Sequence, residues 1–63
     1  MTRGEAEDVV GGRVVVRQED PFVAAVVVDA GRLLGFDGPE AVVDLDDGRR
    51  VHCPVTELRG VDQ

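Results

Sequence analysis

The chain has 63 residues, 13 acids against seven arginines, a net charge of −6 and one cysteine. One small domain is the upper bound, and such a domain buries only about 60% of the surface its unfolded chain exposes, so an enclosed catalytic cleft is disfavoured. The acidic balance weighs against nucleic-acid binding, and a lone cysteine excludes an internal disulfide framework.

Fourteen residues are valine and none is isoleucine, lysine, asparagine, tyrosine, tryptophan or serine. β-branched side chains are stiff at χ1 and fit a pleated surface, so the composition leans towards strands. Lys, Asn, Ile and Tyr have AT-rich codons, and their absence points to a GC-rich bacterial genome. The beginning, "MTRGEAED", carries no apolar stretch of signal-peptide kind. The longest apolar run, Phe22 to Val28, is too short to span a bilayer. A reduced, cytoplasmic protein away from membranes is expected.

Residues 1–8 are polar and read as a flexible tail, with a single β domain over 9–63. Gly11 and Gly12 mark a bend or bulge. Val14 and Val16 alternate with Arg13, Val15 and Arg17, the pattern of a half-buried strand. "QEDP" reads as a turn with Pro21 fixing φ.

Residues 21–34 support two readings. Asp20 as N-cap, Pro21 as first helical residue and Gly35 past the end frame a helix. Val23, Val26, Val27, Ala30, Leu33 and Leu34 then form its apolar stripe. Four valines in six positions and an interior Gly31 oppose it, since glycine costs a helix about 1 kcal/mol relative to alanine. The favoured reading is two strands, Phe22 to Asp29 and Arg32 to Phe36, with a turn at Ala30 and Gly31.

"FDGP" is the next turn, and "EAVVDLDDGRRVHC" reads as a hairpin. Loop length decides which side chains share a face. A two-residue loop at Asp47-Gly48 sets Val43 against His52 and Asp44 against Val51, a mismatch at both pairs. A three-residue loop, Asp46-Asp47-Gly48, with Gly48 left-handed in a bulge, sets Val43 against Val51 and Ala41 against Cys53 on one face. The other face then holds Asp44 against Arg50 and Val42 against His52. This second register is expected. It sends Cys53 inward and His52 outward, so the two adjacent residues serve neither a metal pair nor a nucleophile dyad. Counted from Asp44, the loop has Gly48 fifth and Val55 twelfth, and an EF-hand needs Gly sixth and Glu twelfth. No catalytic, cofactor or metal residue is assigned. "PVTEL" reads as one 3-10 turn, and "LRGVD" as a last short strand.

"AVVDLDDGRRVHCPVTELRG" resembles the second half of Tudor-like and related SH3-like small barrels. In those a strand ends in Asp-Gly, the return strand is short, and a Pro-led 3-10 turn leads to Leu-Arg. The resemblance extends to the strand "PFVAAVVVD" before it and implies an all-β fold, a five-stranded SH3-like barrel or half-open meander sheet. The alternative is βαββ with a helix over residues 21–34. Tudor-like binding uses an aromatic cage, and this chain has only Phe22 and Phe36, so no binding residue is carried over.

The function expected is that of a small acidic, non-enzymatic interaction module that docks on a larger, possibly basic, protein or forms a homodimer. Asp37, Glu40, Asp44, Asp46, Asp47, Arg50 and His52 are its candidate contact surface. The alternative is a nucleic-acid-related regulator. It would be a weak RNA or DNA binder through Arg13, Arg17 and Arg32, or an acidic mimic of DNA.

Overall fold

Alternating valines set the first strand. The computed structural model describes residues 1–20, 22 and 25–61, and of residues 19, 20 and 25–27 the backbone alone. Strand β1 spans Arg13–Asp20, β2 Ala25–Asp37, β3 Glu40–Leu45, β4 Arg50–Pro54 and β5 Leu58–Gly60. A short helix, α1, covers Arg3–Asp8, and a 3-10 turn covers Val55–Glu57. The five strands form one antiparallel sheet in the order β4-β3-β2-β1-β5, not closed into a barrel. The first four strands follow one another as a meander. The fifth returns through the 3-10 turn to the far side of β1.

The β3–β4 hairpin has the expected register. Val43 pairs with Val51, Ala41 with Cys53, Asp44 with Arg50 and Val42 with His52. Gly48 has φ +93°, a conformation glycine adopts without the Cβ penalty, and its N–H donates to Leu45 O at 3.0 Å. Leu45 N–H closes the loop on Arg49 O at 2.7 Å. The loop is therefore the three-residue one that the apolar pairing requires.

The strand reading of residues 21–34 needs one correction. No turn divides it at Ala30 and Gly31, because β2 runs without interruption through both. Ala30 and Gly31 pair with Val15 and Val14, and Gly31 also pairs with Leu45. A Cβ at Gly31 would stand 2.5 Å from Asp44 O, so glycine here admits a neighbouring backbone rather than a chain reversal. Leu34 is the extra residue of a bulge between Leu33 and Gly35, which explains its 40% exposure. The helical alternative is corrected over residues 25–34, all of them strand. Its beginning at 21, 23 and 24 lies outside the described residues, as does Pro21 of the expected "QEDP" turn.

Residues 1–8 also differ from the tail reading, since Arg3–Asp8 is helical. Thr2 and Glu5 form a reciprocal capping box, the Thr2 hydroxyl accepting from Glu5 N at 3.2 Å and Glu5 Oε1 accepting from Thr2 N at 3.0 Å. Six residues are too few to hold a helix alone, so docking stabilises it. Ala6 is fully buried, the Met1 ammonium donates to Leu58 O at 3.1 Å, and Arg3 Nη1 donates to Gly38 O at 3.0 Å. The Arg3 guanidinium also lies 3.8 Å from the Phe36 ring centroid, a cation–π contact. The helix thus bridges β5 and the β2–β3 turn, over the core that the open sheet leaves uncovered. That core is Ala6, Val14, Val16, Leu33, Ala41, Val43, Leu45, Cys53 and Leu58.

Candidate interaction surface

Alternation along β3 and β4 turns Asp44, Arg50 and His52 away from the core, as the register requires. The acids at the hairpin tip do not stand open. Asp46 receives a bidentate pair from Arg13, at 3.1 Å and 2.5 Å. That hydrogen bond holds the Asp46 carboxyl below the usual carboxylate range and raises Arg13. Asp47 accepts from Arg49 N at 3.0 Å and from Arg49 Nε at 2.6 Å, and these bonds lower its pKa too. Arg49 reaches Asp29 at 3.6 Å as well. Asp44 and Arg50 approach to 4.0 Å, and His52 Nδ1 lies 3.6 Å from Asp37. Apart from the half-buried Asp29, these side chains are solvent-exposed, where an ion pair contributes roughly 0–1 kcal/mol.

The seven candidate residues therefore form two groups. Asp44, Asp46, Asp47 and Arg50 lie towards the hairpin tip. Asp37, Glu40 and His52 lie towards the β2–β3 turn, where Asp37 and Glu40 are paired in the register. The two groups adjoin on β4, where Arg50 and His52 are two residues apart, roughly 7 Å at strand rise. Cys53 points into the core and burial pushes its thiol pKa up, with Glu57 and Glu40 adding to the shift. A thiol in that state is not activated as a nucleophile. Among the described residues, no three of His, Cys, Asp and Glu converge as metal ligands.

The outer face of the sheet is richer in arginine than the net charge implies. Arg13 pairs with Arg32, Arg32 with Asp44 and Asp44 with Arg50, giving one carboxylate in a cross-strand row with three guanidiniums. Val15 pairs with Arg59, and Arg17 lies two residues further along β1 on the same face. Arg17 and Arg59 are thus diagonal neighbours, roughly 7–8 Å apart at Cα. They line an open groove of about 600 Å³ together with Gln18, Thr56 and Glu57. The alternation Arg13, Val15, Arg17 is visible in the sequence. The partnership with Arg59 is not, because it depends on β5 returning to β1.

The β1–β2 ribbon reaches past its neighbours. β5 pairs only with Val14–Val16, and β3 joins β2 only from Gly31 onward. Arg17–Asp20 and Ala25–Val28 consequently pair with each other and with no third described strand. Phe22, in the connection, is 97% exposed and Val28 is 60% exposed. The chain matches no protein-family model, and neither a curated protein nor a solved structure matches it.

Proposed function

We propose that this chain is a small, non-enzymatic protein-interaction module of SH3-like, Tudor-like kind. The strand order supports the fold reading, with the last strand returning beside the first after a Pro-led 3-10 turn. The observation that carries the interaction reading is the β1–β2 ribbon. A strand pair that reaches beyond its neighbours, with backbone groups along its edges, is a template for pairing with another chain. Its β2 strand, Ala25 to Val28, has no charged residue in sequence, and Val28 is exposed, whereas its β1 strand, Arg17 to Asp20, is polar. The acids of the β3–β4 tip are each turned to an arginine of the same chain, which weakens their appeal to a basic partner.

The test compares the natural chain with Val28→Lys by sedimentation equilibrium and by cross-linking capture from the native host. Self-association, or a defined captured protein, that the substitution reduces at least tenfold supports the reading. A monomer at every concentration, with an identical captured set for both chains, overturns it.

A further inference from the structure

Five of the seven arginines, Arg13, Arg17, Arg32, Arg50 and Arg59, stand on the outer face of the sheet by strand alternation. Asp37, Glu40 and Asp44 share that face, and Asp46 joins it through its bond to Arg13. Two arginines and nine acids are left for the rest of the chain. Even with Glu19, the next acid along β1, counted in, the face is neutral. A second copy of this acidic chain therefore meets no net repulsion there. On the opposite side, α1 presents Glu5, Glu7 and Asp8 against Arg3 alone.

The charges of this face are segregated along the strands. One cross-strand row holds Arg13, Arg32, Asp44 and Arg50, with Arg13 bonded to Asp46. Arg32 has no carboxylate partner within 4.0 Å among the described residues. Two residues from Asp44 along β3 comes Val42, and two further comes Glu40, cross-strand from Asp37. Between the basic row and this acidic pair lies an apolar waist, formed by half-buried Val42 and by Leu34, 40% exposed at the bulge. Each charged end is roughly 7 Å from the waist at strand rise. His52 is cross-strand from Val42 and 3.6 Å from Asp37.

We propose that the outer face receives a second copy of this chain, as a two-fold sandwich of the two sheets. The axis crosses the strands at the waist, so it exchanges the basic end of one copy with the acidic end of the other. Leu34 and Val42 then meet their own counterparts, and Arg32 meets Asp37 of the second copy. Glu40 of the second copy meets Asp44 where Arg32 and Arg50 flank it, a trio positive by one. Each contact occurs twice, which is the self-complementarity an isologous interface requires. Twisted sheets pack in this aligned way at about 30°. A uniformly acidic or uniformly basic partner would meet like charge at one end of the face, whereas a second copy matches both ends. The proposal rests on the interaction-module reading, names the partner, and uses a different surface from the ribbon edge.

The experiment measures self-association of the whole chain by sedimentation equilibrium in two charge-reversed variants. One carries Arg32→Glu with Arg50→Glu, the other Asp37→Arg with Glu40→Arg. The expected result is a dimer of the natural chain that each variant weakens about tenfold or more, and that an equimolar mixture of the two restores. The second variant lowers the net negative charge, which by itself favours association, so its weakening reports the lost match between ends. Restoration in the mixture also shows that both variants fold. Leu34→Asp should weaken the dimer as well, and Val28→Lys should leave it unchanged. A natural chain that stays monomeric to millimolar concentration, a dimer indifferent to both reversals, or a mixture that restores nothing would overturn the proposal. Self-association or capture of another protein that depends on Val28 and ignores both reversals keeps the module reading and loses this one.

Discussion

At the scale of single residues, three glycines separate conformation from space. Gly48 needs its positive φ but has open space around a Cβ; Gly31 has ordinary strand backbone but no space; Gly35 has neither constraint. Gly48→Ala is expected to cost about 1–2 kcal/mol, the penalty of a side chain in the left-handed region. Gly31→Ala is expected to cost more, about 3 kcal/mol, because the opposing atoms are backbone and must move with β3. Gly35→Ala is expected to be within about 0.5 kcal/mol of neutral. Urea denaturation of the three variants checks this order. Titratable residues give a second expectation. Asp46, Asp47 and Glu5 have folded pKa values below their unfolded ones, so their stabilisation is present above the unfolded carboxylate range. It fades as pH falls through the lowered values. Cys53 has a raised folded value, so its contribution is complete below about pH 8.5 and declines as the medium becomes more alkaline. Thermal midpoints across pH should show a plateau between these limbs, and Cys53→Ala should remove the alkaline thiol limb alone.

At the scale of elements, the β3–β4 hairpin was legible because its letters allow one consistent register. Val43, Val51, Ala41 and Cys53 share a face only with the three-residue loop. The long β2 was harder to read. Gly31 looks like punctuation in isolation, and its reason is a backbone approach from Asp44, 13 residues later in the chain. The helix Arg3–Asp8 left one local trace, the spacing Thr2 to Glu5, without the apolar run that normally follows a capping box. Its single buried side chain is Ala6. Thr2→Ala should therefore cost about 1 kcal/mol by removing the acceptor for Glu5 N. Hydrogen exchange at the first helical amides should rise in that variant while β3 amides keep their protection. The arginine groove was not legible for a further reason. Its walls come from β1 and from the segment around the 3-10 turn, and no periodicity along the chain links Arg17 to Arg59.

At the scale of the molecule, the five strands make two kinds of bond with the chain's own length. The β1–β2, β2–β3 and β3–β4 pairs join neighbours in sequence, whereas β5 meets β1 by setting Val14 against Gly60 and Val16 against Leu58. Closing a long loop costs entropy before any contact repays it, so the three consecutive pairs should organise first. The joining of the two ends then belongs to the downhill side of the folding barrier. Leu58→Val, a small truncation of a fully buried side chain, should accelerate unfolding and leave the refolding rate nearly unchanged, a φ-value near zero. Val43→Ala, in the local hairpin, should instead slow refolding. Stopped-flow chevrons of both variants distinguish the two. The Met1 ammonium holds Leu58 O within the same late-formed region. The first residue and the last strand are thus the latch of this molecule, the part that sets how long the folded chain persists rather than how fast it is made.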